Sequence, residues 1–260
     1  MSAINKQLLL DKISDDKKAN IEPLIDQILW FYGPNLEMHP TSDTLSRFVR
    51  DIKFIKDDQP PVPFGRIYIS DQGFPEEALV HELLHLAMPL RHGVYGIGFD
   101  RDDEALKEYT ALINNVIEHD LFKDDFLNFG YALDRFLSDS SSLNMNYQKR
   151  MKEGGTDKVY WTHEYLRLSI TMQHLPESRK AVCRKGIENA RKISLTLYPE
   201  LQASFQEIRQ WINEKSFHTQ GQYFQSVTQL FKIMRIPLPV KFLSPAGEQA
   251  IRVIYAKQLK

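Results

Sequence analysis

His81-Glu82-Leu83-Leu84-His85 sets two imidazoles four residues apart, with a carboxylate beside the first. On a helix this spacing projects both imidazoles from one face, where they can reach a single metal ion, and zinc is the ion the pattern suits. The intervening glutamate can then take a proton from a water molecule that zinc acidifies from a pKa of about 15.7 to about 7. The chemistry expected of such a set is hydrolysis.

The flanking residues predict the helix this chemistry needs. Pro75 suits a first helical turn, Glu76 and Glu77 complement the positive helix end, and Pro89 is expected to stop the helix. Between Ala78 and Met88 only His81, Glu82 and His85 are polar. Leu79, Leu83 and Leu86 form one apolar row and Val80, Leu84 and Ala87 a second, so the helix is apolar nearly all round and should be buried. Burying two imidazoles and a carboxylate without partners costs several kcal/mol, which metal coordination offsets. A core helix whose histidines satisfy each other or nearby backbone is the alternative without metal.

The His-Glu-x-x-His motif on a buried helix resembles the zincin metallopeptidases. A catalytic zinc takes three protein ligands and keeps one open position, so a third ligand is required. The metzincin pattern would place a glycine and a histidine where this chain has Met88 and Arg91, and His92 misses by one position. Asp103-Glu104-Ala105-Leu106-Lys107-Glu108-Tyr109 is similar to the Asn/Asp-Glu-x-x-x-x-Tyr segment on the second zinc helix of gluzincins, the thermolysin and aminopeptidase group. That resemblance implies Glu104 as third metal ligand and Glu108 as the acidic residue that holds a zinc histidine by its other nitrogen. The two glutamates could exchange roles, or both could decorate a surface helix. The resemblance also implies a tyrosine or histidine that stabilises the oxyanion, several tens of residues beyond the glutamate ligand. His163 is the first choice as this catalytic group, followed by Tyr160 and Tyr165, with Tyr95 also open. In zincins, finally, a strand at the edge of a small sheet precedes the zinc helix and lies above the cleft. Arg66 to Ser70, short and β-branched, is the clearest strand here, and an interior strand is the alternative reading.

Around these residues the pattern is mostly helical. Lys18 to Tyr32 reads as an amphipathic helix ended by Gly33-Pro34, and Ser42 as the cap of another running through Leu45, Phe48, Ile52 and Ile55. Asp57 to Pro63 is rich in turn residues. Asp102 can cap a helix carrying Ala105, Leu106, Tyr109, Leu112, Ile113 and Val116, preceded by a glycine-rich loop at 91–100. Further helices are expected at Phe126 to Phe136, Thr162 to His174, Ser178 to Leu197, Leu201 to Ile212, Tyr223 to Met234 and Ala246 to Ala256, with a long loop from Ser138 to Tyr160.

Composition limits the rest. With 42% hydrophobic and 26% charged residues, the chain has the make-up of an ordinary soluble protein. No apolar run approaches the ~20 residues of a membrane span, and Leu8-Leu9-Leu10 is too short for a signal-peptide core, so no membrane partner and a cytoplasmic location are expected. The single cysteine, Cys183, excludes an internal disulfide. A net charge of -1 argues against nucleic acid as an obligatory partner, and the basic stretch Arg179 to Lys192 reads as a solvated helix face. The expected fold is α+β and predominantly helical: N-terminal helices at 1–56, a zincin-like core with a small sheet beside the active-site helix at 57–175, and a helical C-terminal part at 176–260. The expected function is zinc-dependent hydrolysis of a peptide or protein substrate, with Glu82 as general base. The alternative is a regulatory or binding protein that keeps the fold and a structural or latent metal site.

Overall fold

In the computed structural model the described residues are 6–41, 47–53, 60–70, 75–93, 96–99, 104–132, 157–217, 219–236, 241–247 and 250–255. Helix α1 (Lys6–Leu10) leads into α2 (Asp15–Tyr32), which buries Ile21, Leu24, Ile25 and Ile28 on one side. Gly33 ends α2 with a φ of 51°, and Pro34 lies in the single 3-10 turn that follows. Three strands come next: β1 (Leu36–Thr41), β2 (Arg47–Lys53) and β3 (Val62–Ser70). They form one sheet in the order β1-β3-β2.

Two expectations change here. The segment with helical spacing at Phe48 and Ile52 is a strand, β2, paired antiparallel with β3 so that Arg50 faces Gly65. Positions four apart fit a helix turn, but they also fit every second residue of a strand, and pairing with a distant segment decides between the two. Ser42, Leu45 and Ile55 lie outside the described residues. Secondly, the strand read at Arg66 to Ser70 extends back to Val62, and it is the central strand of its sheet, flanked by β1 in parallel and β2 antiparallel.

Helix α3 (Glu76–His92) crosses beside this sheet, with Leu79, Val80, Leu83, Leu84, Leu86 and Ala87 fully buried. Its first residue is anchored: the Glu76 carboxylate accepts from the Ser14 amide at 3.1 Å, from the Ser14 hydroxyl at 3.0 Å and from the Tyr131 hydroxyl. Pro89 does not stop the helix. α3 runs on to His92 and ends at Gly93, whose φ of 69° is left-handed and whose amide donates to the Pro89 carbonyl at 3.0 Å. An internal proline removes one i to i−4 bond, and burial on all sides supplies what the missing bond does not.

After the short β4 (Gly96–Gly98), α4 (Glu104–Asn128) is one continuous helix. The sequence suggested two, because Glu118, His119, Asp120, Lys123, Asp124 and Asp125 interrupt the apolar pattern between Val116 and Phe126. Ile117, Phe122 and Phe126 nevertheless carry a buried stripe through the interruption. The expected helix beyond 132, the expected loop from 138 to 156 and Tyr95 fall outside the described residues, while the end of that loop, read as far as Tyr160, is already helical from Lys158. Helices α5 (Lys158–His174), α6 (Glu177–Leu197), α7 (Leu201–Glu214) and α8 (Gln220–Ile233) then follow close to the expected bounds. Ala246 to Ala256, read as a helix, contains instead strand β6 (Ile251–Tyr255), paired antiparallel with β5 (Lys241–Pro245), and β5 in turn pairs with β4. β-branched Ile251, Val253 and Ile254 favour this extended pairing.

The described residues are thus predominantly helical with two small sheets, an α+β arrangement. None of their helices is long and apolar enough to cross a membrane. Two apolar clusters form the interior. One joins α1, α2, the first sheet and α3, and the other joins α5 to α8 with Phe242 of β5. α4 serves both: Leu106, Ile113, Val116 and Ile117 pack into the second cluster, Phe122 and Phe126 into the first. Gly93→Ala tests the left-handed turn that lets α3 continue past Pro89. An added Cβ meets only the Gln220 side chain at an ordinary 3.5 Å, so the cost is conformational, about 1–2 kcal/mol, read as a lower urea midpoint at unchanged slope.

Candidate metal centre

α3 and α4 pack together, and where they meet three imidazoles converge. His81 and His85, one turn apart on α3, face His119 of α4, which stands 34 residues beyond His85. Their Nε2 atoms form a nearly equilateral triangle: 3.1 Å between His81 and His85, 3.0 Å between His81 and His119, and 3.2 Å between His85 and His119.

Hydrogen bonding alone does not account for this triangle. The His85 Nδ1 lies 2.7 Å from the Glu118 carboxylate, which places a proton on that nitrogen and leaves the Nε2 lone pair bare. Each N–H on the remaining rings serves one direction, so three mutual N···N contacts cannot all be bonded at once. One cation meets all three lone pairs together. A donor set of three histidines would suit zinc, which takes three protein ligands at a catalytic site and keeps a fourth position for water or substrate. Among the described residues, no further histidine, cysteine or carboxylate belongs to the cluster. The donor set fits a metal ion.

Burial disfavours the charged forms of two of the donors. It pushes the His85 ring well below the usual histidine range, with neighbouring His81 and Arg50 adding to the effect. His119 is lowered well below that range too, again by burial first and then by His81, His85 and His174. Phe122 stands against all three rings edge-on, at 5.5, 4.7 and 5.6 Å from the centroids of His81, His85 and His119, and gives the triangle an apolar flank. Glu82, between the two α3 histidines in sequence, is buried at 9% exposure.

Behind the triangle, a chain of polar contacts reaches the sheet. Glu118 holds His85 with one carboxylate oxygen and receives the Arg50 guanidinium of β2 on the other. Burial raises the Glu118 carboxyl above its ordinary range, and the adjoining Arg50 charge pulls the other way. Contact on both sides with Arg50 and His85 is that of a carboxylate. Arg50 Nη1 also donates to the His85 carbonyl at 3.1 Å. Tyr223 of α8 is near enough for Glu118 to add to the effect of burial in pushing its hydroxyl above the usual range.

Of the residues singled out in the sequence, the structure brings together His81 and His85 and joins them to His119, not to Glu104. Glu104 opens α4, fifteen residues before His119, which at helical rise is about 22 Å along the axis. Glu108 precedes His119 by eleven residues, about 16 Å. The side chains of both glutamates lie outside the described residues. The role foreseen for Glu108, holding a ligand histidine by its other nitrogen, is occupied by Glu118. His92 is outside the cluster, with its Nε2 buried and without a hydrogen-bond partner among the described residues. His163 lies on α5, 6% exposed, its Nε2 likewise without a partner among the described residues, and no contact links it to the triad. A signal for Glu118 and His119 did exist. They follow Val116 and Ile117 and precede Phe122 on the buried stripe of α4, where charged or titratable side chains are rare unless partnered. Comparison of the chain with protein-family models, curated proteins and solved structures gives no match.

Two outcomes are expected. His119→Ala removes the bound metal detected by elemental analysis, whereas Glu104→Ala leaves it in place. Independently, burial holds the His163 ring at about 4, while an unfolded histidine titrates near 6.5. Between these values the unfolded chain binds the extra proton, so stability falls as pH drops from 6.5 to 4, by about 3 kcal/mol for this group. In the presence of chelator, His163→Gln should flatten that part of the profile of thermal midpoint against pH.

Proposed function

We propose that this protein is a zinc-dependent hydrolase acting on peptide bonds, with His81, His85 and His119 as the metal ligands and Glu82 as general base. The observation that carries the proposal is the Nε2 triangle with sides of 3.0 to 3.2 Å, built around a His-Glu-x-x-His helix. Zinc bound there supplies Lewis acidity, which activates water and polarises a carbonyl. Glu82 accepts the proton released as water attacks and returns it to the departing amine. Glu118 fixes the tautomer of His85 and keeps its Nε2 lone pair directed at the centre. Phe122 excludes water from one side, so polar interactions at the centre act in a low dielectric.

Two features favour catalysis over a purely structural metal. A structural site closes on four protein donors, and among the described residues only three converge. A structural site also has no use for Glu82, a carboxyl group buried one residue from a ligand histidine. For the substrate, the first sheet offers an edge: β2 pairs with β3 on one side, and Arg50 within β2 touches the turn of α3 that carries His85. An extended peptide could add to such an edge by backbone hydrogen bonds.

Glu82→Gln is the direct test. The variant should keep its metal and its fold while hydrolysis of a mixed peptide library falls by about 100-fold or more. Undiminished turnover in the metal-loaded variant would remove Glu82 from the mechanism.

A further inference from the structure

Pro89 and Arg50 belong to one device. In a helix, the amide of residue 89 would donate to the carbonyl of residue 85, and proline has no such amide. The carbonyl left over is that of His85, a ligand residue. Arg50 Nη1 donates to it at 3.1 Å, while Nη2 of the same guanidinium binds Glu118, whose other oxygen holds His85 Nδ1 at 2.7 Å. One planar cation thus grips His85 twice: directly at its backbone, and through Glu118 at its ring. Arg50 and Glu118 side chains are 8% and 6% exposed, so little water competes for these bonds.

We propose that Arg50 is a positioning residue for the metal centre, and that Pro89 creates its docking point by freeing the His85 carbonyl. The device rests on the reading that His81, His85 and His119 hold a metal, but it does not depend on the reaction catalysed there. Its geometry is specific to arginine. A guanidinium presents parallel N–H groups in a fixed fork, whereas an ammonium offers a point charge that cannot span a carbonyl and a carboxylate in the same plane. Because Arg50 belongs to β2, the device also ties ligand orientation to the sheet.

The test uses the full chain and four variants: Arg50→Met, Arg50→Lys, Pro89→Ala and the double variant Arg50→Met/Pro89→Ala. Metal affinity is measured by competition with a chelator, and ligand geometry from the visible spectrum of the cobalt(II) form. Arg50→Met should weaken affinity 10- to 100-fold and alter the cobalt spectrum. Arg50→Lys, which retains the buried charge and guards against simple misfolding, should recover only part of the loss. Pro89→Ala restores an amide to bond the His85 carbonyl, so the same Arg50→Met change should cost several-fold less affinity in that background. Wild-type affinity and spectrum in both Arg50 variants, or strictly additive effects of the Arg50 and Pro89 changes, would overturn the positioning role while leaving the metal centre standing. A wild-type protein that binds neither zinc nor cobalt(II) would overturn the metal centre itself, and the device with it.

Discussion

Three imidazole nitrogens held within 3.2 Å of one another in a desolvated interior are the constraint around which the rest of the structure is arranged. Such convergence requires that the helices carrying the three imidazoles be held firmly. α3 is held by its apolar circumference and by the Glu76 anchor to Ser14 and Tyr131. α4 is held because it belongs to both apolar clusters, one on each side of the histidine it presents. The centre therefore lies at the seam between the two halves of the interior, where displacement of either helix would open the triangle.

Burial explains why the supporting residues are charged. Desolvation disfavours the protonated forms of His85 and His119, and the neutral imidazole is the form that can bind a cation. Glu118 restores basicity to His85 from behind, and a buried carboxylate of this kind requires a countercharge. Arg50 provides it from the sheet. Each polar residue is thus explained by the one before it, outward from the triangle to β2. The role of the small first sheet at this centre is to deliver Arg50, as much as to cover α3.

How much of this was legible follows from which interactions are local. α2, α3 and α5 to α8 were readable because each carries its own apolar spacing, and α2 a stop signal as well, Gly33 after Tyr32. His81, Glu82 and His85 were readable for the same reason, since their relationship is fixed within two turns of one helix. β2 and β6 were misread as helices because an extended segment is settled by its partner: β3 for one, β5 for the other. His119 failed for a related reason. Its partnership with α3 spans 34 residues, and a familiar segment at Glu104 supplied a nearer answer. The charges around Asp120 also hid the continuity of α4, and with it the position of Glu118 and His119 on a buried face.

In the proposed centre, a histidine as third ligand in place of a glutamate would change more than an address. Two imidazoles and a carboxylate would leave a bound divalent ion with a formal charge of about +1, whereas three neutral imidazoles leave it at about +2. The greater charge favours a more acidic bound water, and it raises the value of negative charge placed just beyond the ligands. Glu118 is such a charge, but it reaches the centre only through the His85 ring, and Arg50 neutralises part of it. With a metal bound as proposed, the arrangement would therefore steady the ligand without spending much of the ion's electrophilicity. Glu82, buried next to His81, is the nearest carboxyl group on α3, which is where the proposed base for an acidified water would belong.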